Sequence, residues 1–169
     1  MLLYRVFPSL DSAGEGEPGH PSYIHKPQGK GRLDNPGDYT CWYLSGESSG
    51  AVGEVFGDLT SWVDDMFEVP FLAGARRALG TYFIPDDTPL LDLDDAKNLL
   101  DRGLRPTQVI IRNRPATQAW ALAIFKEANA DGSRKWQGVR WWSYQRPSWQ
   151  IYGLWGSCLL YTSPSPRDS

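Results

Sequence analysis

Residues 31–57 run G-R-L-D-N-P-G-D-Y-T-C-W-Y-L-S-G-E-S-S-G-A-V-G-E-V-F-G. The Gly, Pro, Asn and Asp residues before Tyr39 mark turns, residues 41–44 fit a short buriable strand, and the serines and glycines that follow introduce a small-residue helix. A strand set between an Arg-bearing turn and an acid-bearing helix brings Arg32, Tyr43 and Glu54 towards one place. On the helix, Val52, Val55, Phe56, Leu59 and Val63 share one face, whereas Glu54 projects almost opposite to them. Ser48 or Ser49 is placed to cap it near Gly50. An ordinary solvated helix acid is the plain account of Glu54. Against it stand Gly50, Gly53 and Gly57, each costing the helix about 1 kcal/mol relative to Ala, which predicts open space around the carboxylate and room for a ligand.

Outward from this unit, the chain alternates strand and helix patterns. Residues 2–7 suit a first strand that Pro8 ends, and residues 9–30, rich in Gly, Pro and Ser, read as a long loop that acts as a lid. Downstream the pattern predicts a short helix over 73–79 and a strand over 81–84. It continues with a strand over 90–93 and a helix over 94–102 that Gly103 stops. A β-branched strand follows over 108–112, a break at Pro115, and a helix from a Thr117 cap through Ala128. Two strands close the series, over 138–144 and 149–155. The fold class expected is α+β, a mixed twisted sheet with packed helices.

At 169 residues, 41% hydrophobic and 22% charged, the chain suits one domain with a sizeable core, expected over residues 1–157. A formal net charge of −3 argues against direct nucleic-acid binding, which wants a concentrated basic surface. The opening apolar run is broken by Arg5 and Pro8, as a signal-peptide core would not be, and no window reaches membrane-span length. These features point to a cytoplasmic protein without membrane contact. Two cysteines, Cys41 in an apolar run and Cys158 in the tail, do not suggest a disulfide framework. Residues 158–169, C-L-L-Y-T-S-P-S-P-R-D-S, resemble to Asp168 the product of one reading frame of a sequencing-library adaptor. They are expected to be an adaptor-derived or disordered tail on a domain incomplete at its C-terminus.

Gly14, Gly16 and Gly19 satisfy G-x-G-x-x-G, yet Pro18 and the missing helix pattern remove the context of a dinucleotide fingerprint. Residues 46–50 satisfy G-x-S-x-G in a strand-turn-helix setting, but His20 and His25 both precede the serine, so the helix-cap reading of Ser48 and Ser49 is preferred over a nucleophile elbow. Histidine and cysteine provide no ligand set at workable spacing, and no metal is expected. Asp64-Asp65, Asp86-Asp87 and Asp94-Asp95 read as turns and caps. Arg112, Arg114, Arg140 and Arg146 read mostly as solvated surface residues, with a phosphate-contacting edge as the other possibility.

The L-Y-R-V strand, G-R-L-D-N-P-G, W-Y-L-S, A-V-G-E-V, T-Q-A-W-A and G-V-R-W-W-S, in this order and spacing, resemble the RES domain family. Carried over by position, Arg32, Tyr43, Glu54 and Ser143 are the residues the resemblance places at the site, with Ser148 a competing candidate for the serine. Leu33 departs from the aromatic residue that family often carries after its Arg, which leaves the local pocket shape open. The resemblance implies a fold similar to ADP-ribosyltransferase-like toxins, a toxin of a toxin-antitoxin system, and a helix-turn-helix antitoxin as partner. It also implies an enzyme that consumes NAD as substrate, a glycohydrolase or phosphorylase with water or phosphate as acceptor and no further cofactor. Transfer of ADP-ribose to a protein and a non-catalytic binding module, with Arg32 and Glu54 as a structural ion pair, remain the alternatives.

The chemistry suits these residue types. Nicotinamide leaves as a neutral base from a cationic precursor, so cleavage needs charge stabilisation and positioning more than a strong acid. In the expected roles Glu54 stabilises the ribosyl cation or orients water, and Arg32 grips the pyrophosphate. Tyr43 stacks on or bonds to the nicotinamide riboside, and Ser143 positions an amide or hydroxyl.

Overall fold

The computed structural model describes residues 1–57, 59 and 63–156, with the backbone of residues 161 and 162. One seven-stranded sheet contains β1 (Leu2–Ser9), β2 (Cys41–Ser45), β3 (Arg76–Phe83), β4 (Leu90–Asp92), β5 (Gly138–Trp142), β6 (Gln150–Trp155) and β7 (Tyr161–Thr162). Their order is β4-β5-β6-β2-β1-β3-β7, with β4 and β5 parallel and the other neighbours antiparallel. Among the described residues four α-helices accompany it, α1 (Ser48–Phe56), α2 (Ala96–Leu100), α3 (Pro106–Ile110) and α4 (Arg114–Phe125), with a 3-10 turn at Asp64–Phe67. The architecture is a mixed sheet with helices, an α+β fold. Among the described residues no helix is long and apolar enough to cross a membrane. The tail expected over 158–169 lies outside the described residues, except for the β7 backbone.

Alternation along the central strands builds two cores. Cys41 of β2 and Ile151 and Trp155 of β6 join the cluster that takes in Leu99 of α2, Val109 of α3 and Ile124 of α4. Trp42 and Leu44, with Tyr152 and Leu154, join Leu3 and Tyr82 in the second. Successive side chains point to opposite faces of a strand, so these central strands bury both faces.

Several local expectations are corrected. Pro8 does not end β1, which pairs with β3 from Leu2↔Phe83 to Ser9↔Arg76. There β1 has no register partner on its β2 side, and a proline is tolerated where no ladder donor is required. Residues 76–79, expected in a helix, belong to β3, because full-length pairing with β1 overrides the local propensity of Arg, Ala and Leu. Conversely, residues 106–110 are helical despite Val109 and Ile110. Pro106 occupies the first turn, and Gln108 Oε1 accepts from the Arg105 N–H at 2.7 Å. Pro115 likewise sits in the first turn of α4 rather than breaking it. Asn113, not Thr117, is the cap, accepting from Ala116 N, and the helix ends at Phe125. Asp95 caps α2 through Lys97 N and Asn98 N, and Gly103 follows at φ 64°.

The far edge of the helical layer is held by Glu127, which accepts from Arg102 Nε at 2.8 Å, Arg102 Nη2 at 2.6 Å and Trp136 Nε1 at 3.1 Å. Burial alone would raise its pKa, but the bonds from Arg102 and Trp136 outweigh it and hold the carboxyl below its usual range. A folded carboxyl that binds its proton less readily than the unfolded one stabilises the fold at neutral pH, and that contribution is lost as pH falls through the carboxylate range. Glu127→Gln is therefore expected to melt below the wild type at about pH 7 and to converge with it near pH 3, as followed by thermal melts.

Candidate active site

The sheet is nearly divided at its middle. β1 and β2 share one register pair, Tyr4↔Ser45, beyond which β1 runs with β3 and β2 with β6. Between the diverging strands lies a cavity of about 460 Å³, inside the ~300–1,000 Å³ usual for small-molecule sites. Residues 4–8 line one side and Cys41, Tyr43, Leu44 and Ser45 another, while Glu54 of α1, Arg32 and Arg114 also border it.

Where β1 leaves, the Cys41 peptide lacks a strand on that side, and Gln28 takes its place. Gln28 Nε2 donates to Cys41 O at 2.9 Å and Gln28 Oε1 accepts from Cys41 N at 2.9 Å. A side-chain amide thus satisfies both polar groups of one peptide position. It also fastens the loop read as a lid, whose Ile24, His25 and Gln28 lie on the cavity.

Arg32 is only 8% exposed. Its Nη1 donates to Val109 O at 2.7 Å and Ile111 O at 2.6 Å, carbonyls at the C-terminal end of α3 that have no next turn to receive them. Burial, and then the nearby charge of Arg114, brings the Arg32 pKa down to about 10 against the raising influence of Glu54. The guanidinium remains a cation at neutral pH. Glu54 acts on it through space, and among the described residues no salt bridge joins the two.

The loop that presents Arg32 is fixed from both sides. Asp34 Oδ2 accepts from Gly29 N at 2.9 Å and Gly31 N at 2.8 Å, while its Oδ1 accepts from the Tyr43 hydroxyl at 2.6 Å. Tyr43 in turn accepts from Leu33 N at 2.8 Å. From α4, Gln118 Nε2 donates to Gly29 O and Gly31 O, each at 2.9 Å. Gly31 is required here, since a Cβ would stand 2.5 Å from the Tyr43 oxygen and 2.6 Å from Asp34 Oδ1. Burial pushes the Tyr43 pKa well up, so the hydroxyl stays protonated and keeps its bond to Asp34. Leu33 points away into the core, fully buried against Gly153, and does not line the cavity.

The glycines of α1 answer a different need from the one expected. A Cβ on Gly50 would stand 2.2 Å from Ser45 Oγ, one on Gly53 2.2 Å from the Trp149 ring, and one on Gly57 2.9 Å from the Gln145 side chain. The missing side chains let the helix press onto β2 and the β5–β6 connection. Glu54, four residues after Gly50 and three before Gly57, lies beside this stripe and is carried to Ser143. The helix buries Gly50, Ala51, Gly53 and Phe56; Val55, Leu59 and Val63, expected on its apolar face, are exposed. Its N-cap is Glu47 with no side-chain bond, so neither serine caps it, and Ser48 is exposed and absent from the cavity lining.

Ser143 follows β5 and is 1% exposed. Its Oγ donates to Glu54 Oε1 and accepts from Gln145 N at 3.0 Å and Arg146 N at 3.3 Å. The hydroxyl is thereby committed to the carboxylate and the turn, and it reaches the cavity through Glu54 rather than by lining it. Ser148 is exposed and also off the cavity. Arg32, Tyr43 and Glu54 thus border one space, with Ser143 one bond behind. Sequence reasoning missed Gln28, Asp34 and Gln118 as supports, and it named Arg114 only within a group of arginines read mostly as solvated, with a phosphate-contacting edge as the other possibility. Asp34 carried one usable signal, an Asp in a Gly/Asn/Pro turn, where such side chains hold local N–H groups.

A family model described as the RES domain matches residues 2–164 of the chain. No curated protein matches it.

Proposed function

We infer, since the chain belongs to the RES domain family, that it is an NAD-degrading enzyme whose reaction takes place between β1 and β2. The family is linked to NAD-related toxin activity and to antitoxin partners. The observation that carries the reading is the convergence of Arg32, Tyr43 and Glu54 on one cavity, with the Glu54 carboxylate oriented by Ser143.

In the reaction proposed, the bond between nicotinamide nitrogen and ribose breaks with its electron pair going to nitrogen, which turns the pyridinium into neutral nicotinamide. Positive charge develops on the ribose. Glu54, held by a hydroxyl and not needing to reorient, stabilises that charge and directs a water to the anomeric carbon, whose new C–O bond completes ADP-ribose as a proton passes to solvent. Phosphate in place of water gives the anomeric phosphate instead. Arg32 offers the pyrophosphate the donors left after Nη1 has bound Val109 and Ile111. Because the Tyr43 hydroxyl is engaged by Asp34, its ring face is the part offered to substrate. Ser143 serves as a positioning residue for Glu54. A helix-turn-helix protein is proposed as the antitoxin.

Purified protein incubated with NAD is expected to release free nicotinamide, measured by chromatography. The accompanying product identifies the acceptor: ADP-ribose for water, its anomeric phosphate for phosphate, or labelled protein for transfer. No nicotinamide above the rate without enzyme rejects the reading.

A further inference from the structure

We propose that Arg114 is a second anion-binding residue of the cavity, which together with Arg32 takes the diphosphate group of a dinucleotide. The inference rests on the NAD reading of the site and adds a residue to it.

Arg114 occupies the first turn of α4, where the Asn113 cap fixes its backbone, and it borders the same cavity as Arg32. Its Nη1 is buried and has no hydrogen-bond partner. A cationic donor shut away from water and unpaired is strongly unfavourable, so a solvated surface arginine does not describe it. The two guanidinium groups also stand close enough that Arg114 is the largest charge influence on Arg32, exceeding Glu54. Arg32 and Arg114 therefore stand near one carboxylate, which is tied to Ser143, while Arg5, the third arginine on the cavity, is stacked over the Trp42 ring. A ligand carrying at least two negative charges on tetrahedral oxygens would satisfy the unpaired donor and relieve the repulsion together. A diphosphate presents both features, and arginine's planar fork matches its oxygens.

The test is calorimetric titration of inorganic pyrophosphate into the whole chain, for wild type, Arg114→Gln and, as a control for net charge, Lys126→Gln at an exposed position. Arg114→Gln is expected to weaken pyrophosphate binding roughly 10- to 100-fold, the range of a lost charge-assisted bond, whereas Lys126→Gln changes it less than about twofold. Without ligand, Arg114→Gln should melt no lower than wild type, because a repulsive and unpaired group has gone. Unchanged affinity in Arg114→Gln, no pyrophosphate binding by wild type, or a lower unliganded melting temperature each overturns the proposal. Loss of nicotinamide release is a separate result: Arg114-dependent pyrophosphate binding without NAD cleavage keeps the anion site and rejects the enzyme reading, and cleavage with Arg114-independent binding does the reverse.

Discussion

Glu54→Gln is expected to lower the rate of nicotinamide release from NAD by roughly 10²- to 10³-fold, the loss seen when one preorganised charge-stabilising group is removed. The substitution keeps a carbonyl oxygen where Ser143 Oγ now donates to Oε1, so geometry survives while the negative charge does not. Because Glu54 is exposed on the cavity side and α1 packs through its glycines and Phe56, the melting temperature should barely move. Kinetics of purified wild type and variant check both halves. Ser143→Ala provides the contrast: Glu54 keeps its charge but loses its tether, and Gln145 N and Arg146 N lose an acceptor. Its rate should fall less than that of Glu54→Gln, while its stability falls more. A Glu54→Gln enzyme with full turnover removes the proposed acid.

Asp34→Ala is expected to give the largest loss of stability among site variants, roughly 2–4 kcal/mol, because it removes the acceptor of two part-buried N–H groups and a phenol together. For a chain of this size that corresponds to a fall in melting temperature on the order of 10 °C. Activity should drop as well. The same carboxylate fixes the turn that aims Arg32, and Gln118 holds that turn only by its carbonyls. Thermal denaturation with nicotinamide release distinguishes this support role from a ligand role, since a ligand contact alone would leave the unliganded melt unchanged. Asp34→Asn, which retains one acceptor oxygen, should lie between wild type and Ala.

How far the molecule is legible in its sequence depends on whether local or long-range interactions determine each element. Residues 41–44 and 149–155 read as strands because they bury apolar side chains on both faces, and the structure extends β2 by one residue and starts β6 at Gln150. Residues 106–110 misread because β-branched side chains suggest a strand, while Pro106 and the Gln108 bond to Arg105 N favour a turn of helix. The helical reading of 73–79 fails for the opposite reason: only β1, some seventy residues earlier, makes that segment a strand. Arg32, Tyr43 and Glu54 were findable because they flank one strand-helix unit and match a family pattern. Asp34 and Gln118 act through backbone groups of a loop whose path the sequence does not reveal. Arg114 was named with three other arginines as a possible phosphate-contacting edge, but with Pro115 read as a break where it opens a helix, nothing in the sequence set it apart from them. The glycines of α1 were noticed for a sound reason, their cost to helix stability, but what they admit is Ser45, Trp149 and Gln145 rather than substrate.

Diffraction from crystals of Glu54→Gln soaked in NAD tests the central claim most directly. The expected result is intact dinucleotide between β1 and β2, its nicotinamide riboside beside residue 54 and its diphosphate against Arg32 and Arg114. A cavity left empty at saturating NAD, or dinucleotide bound elsewhere on the protein, contradicts the account.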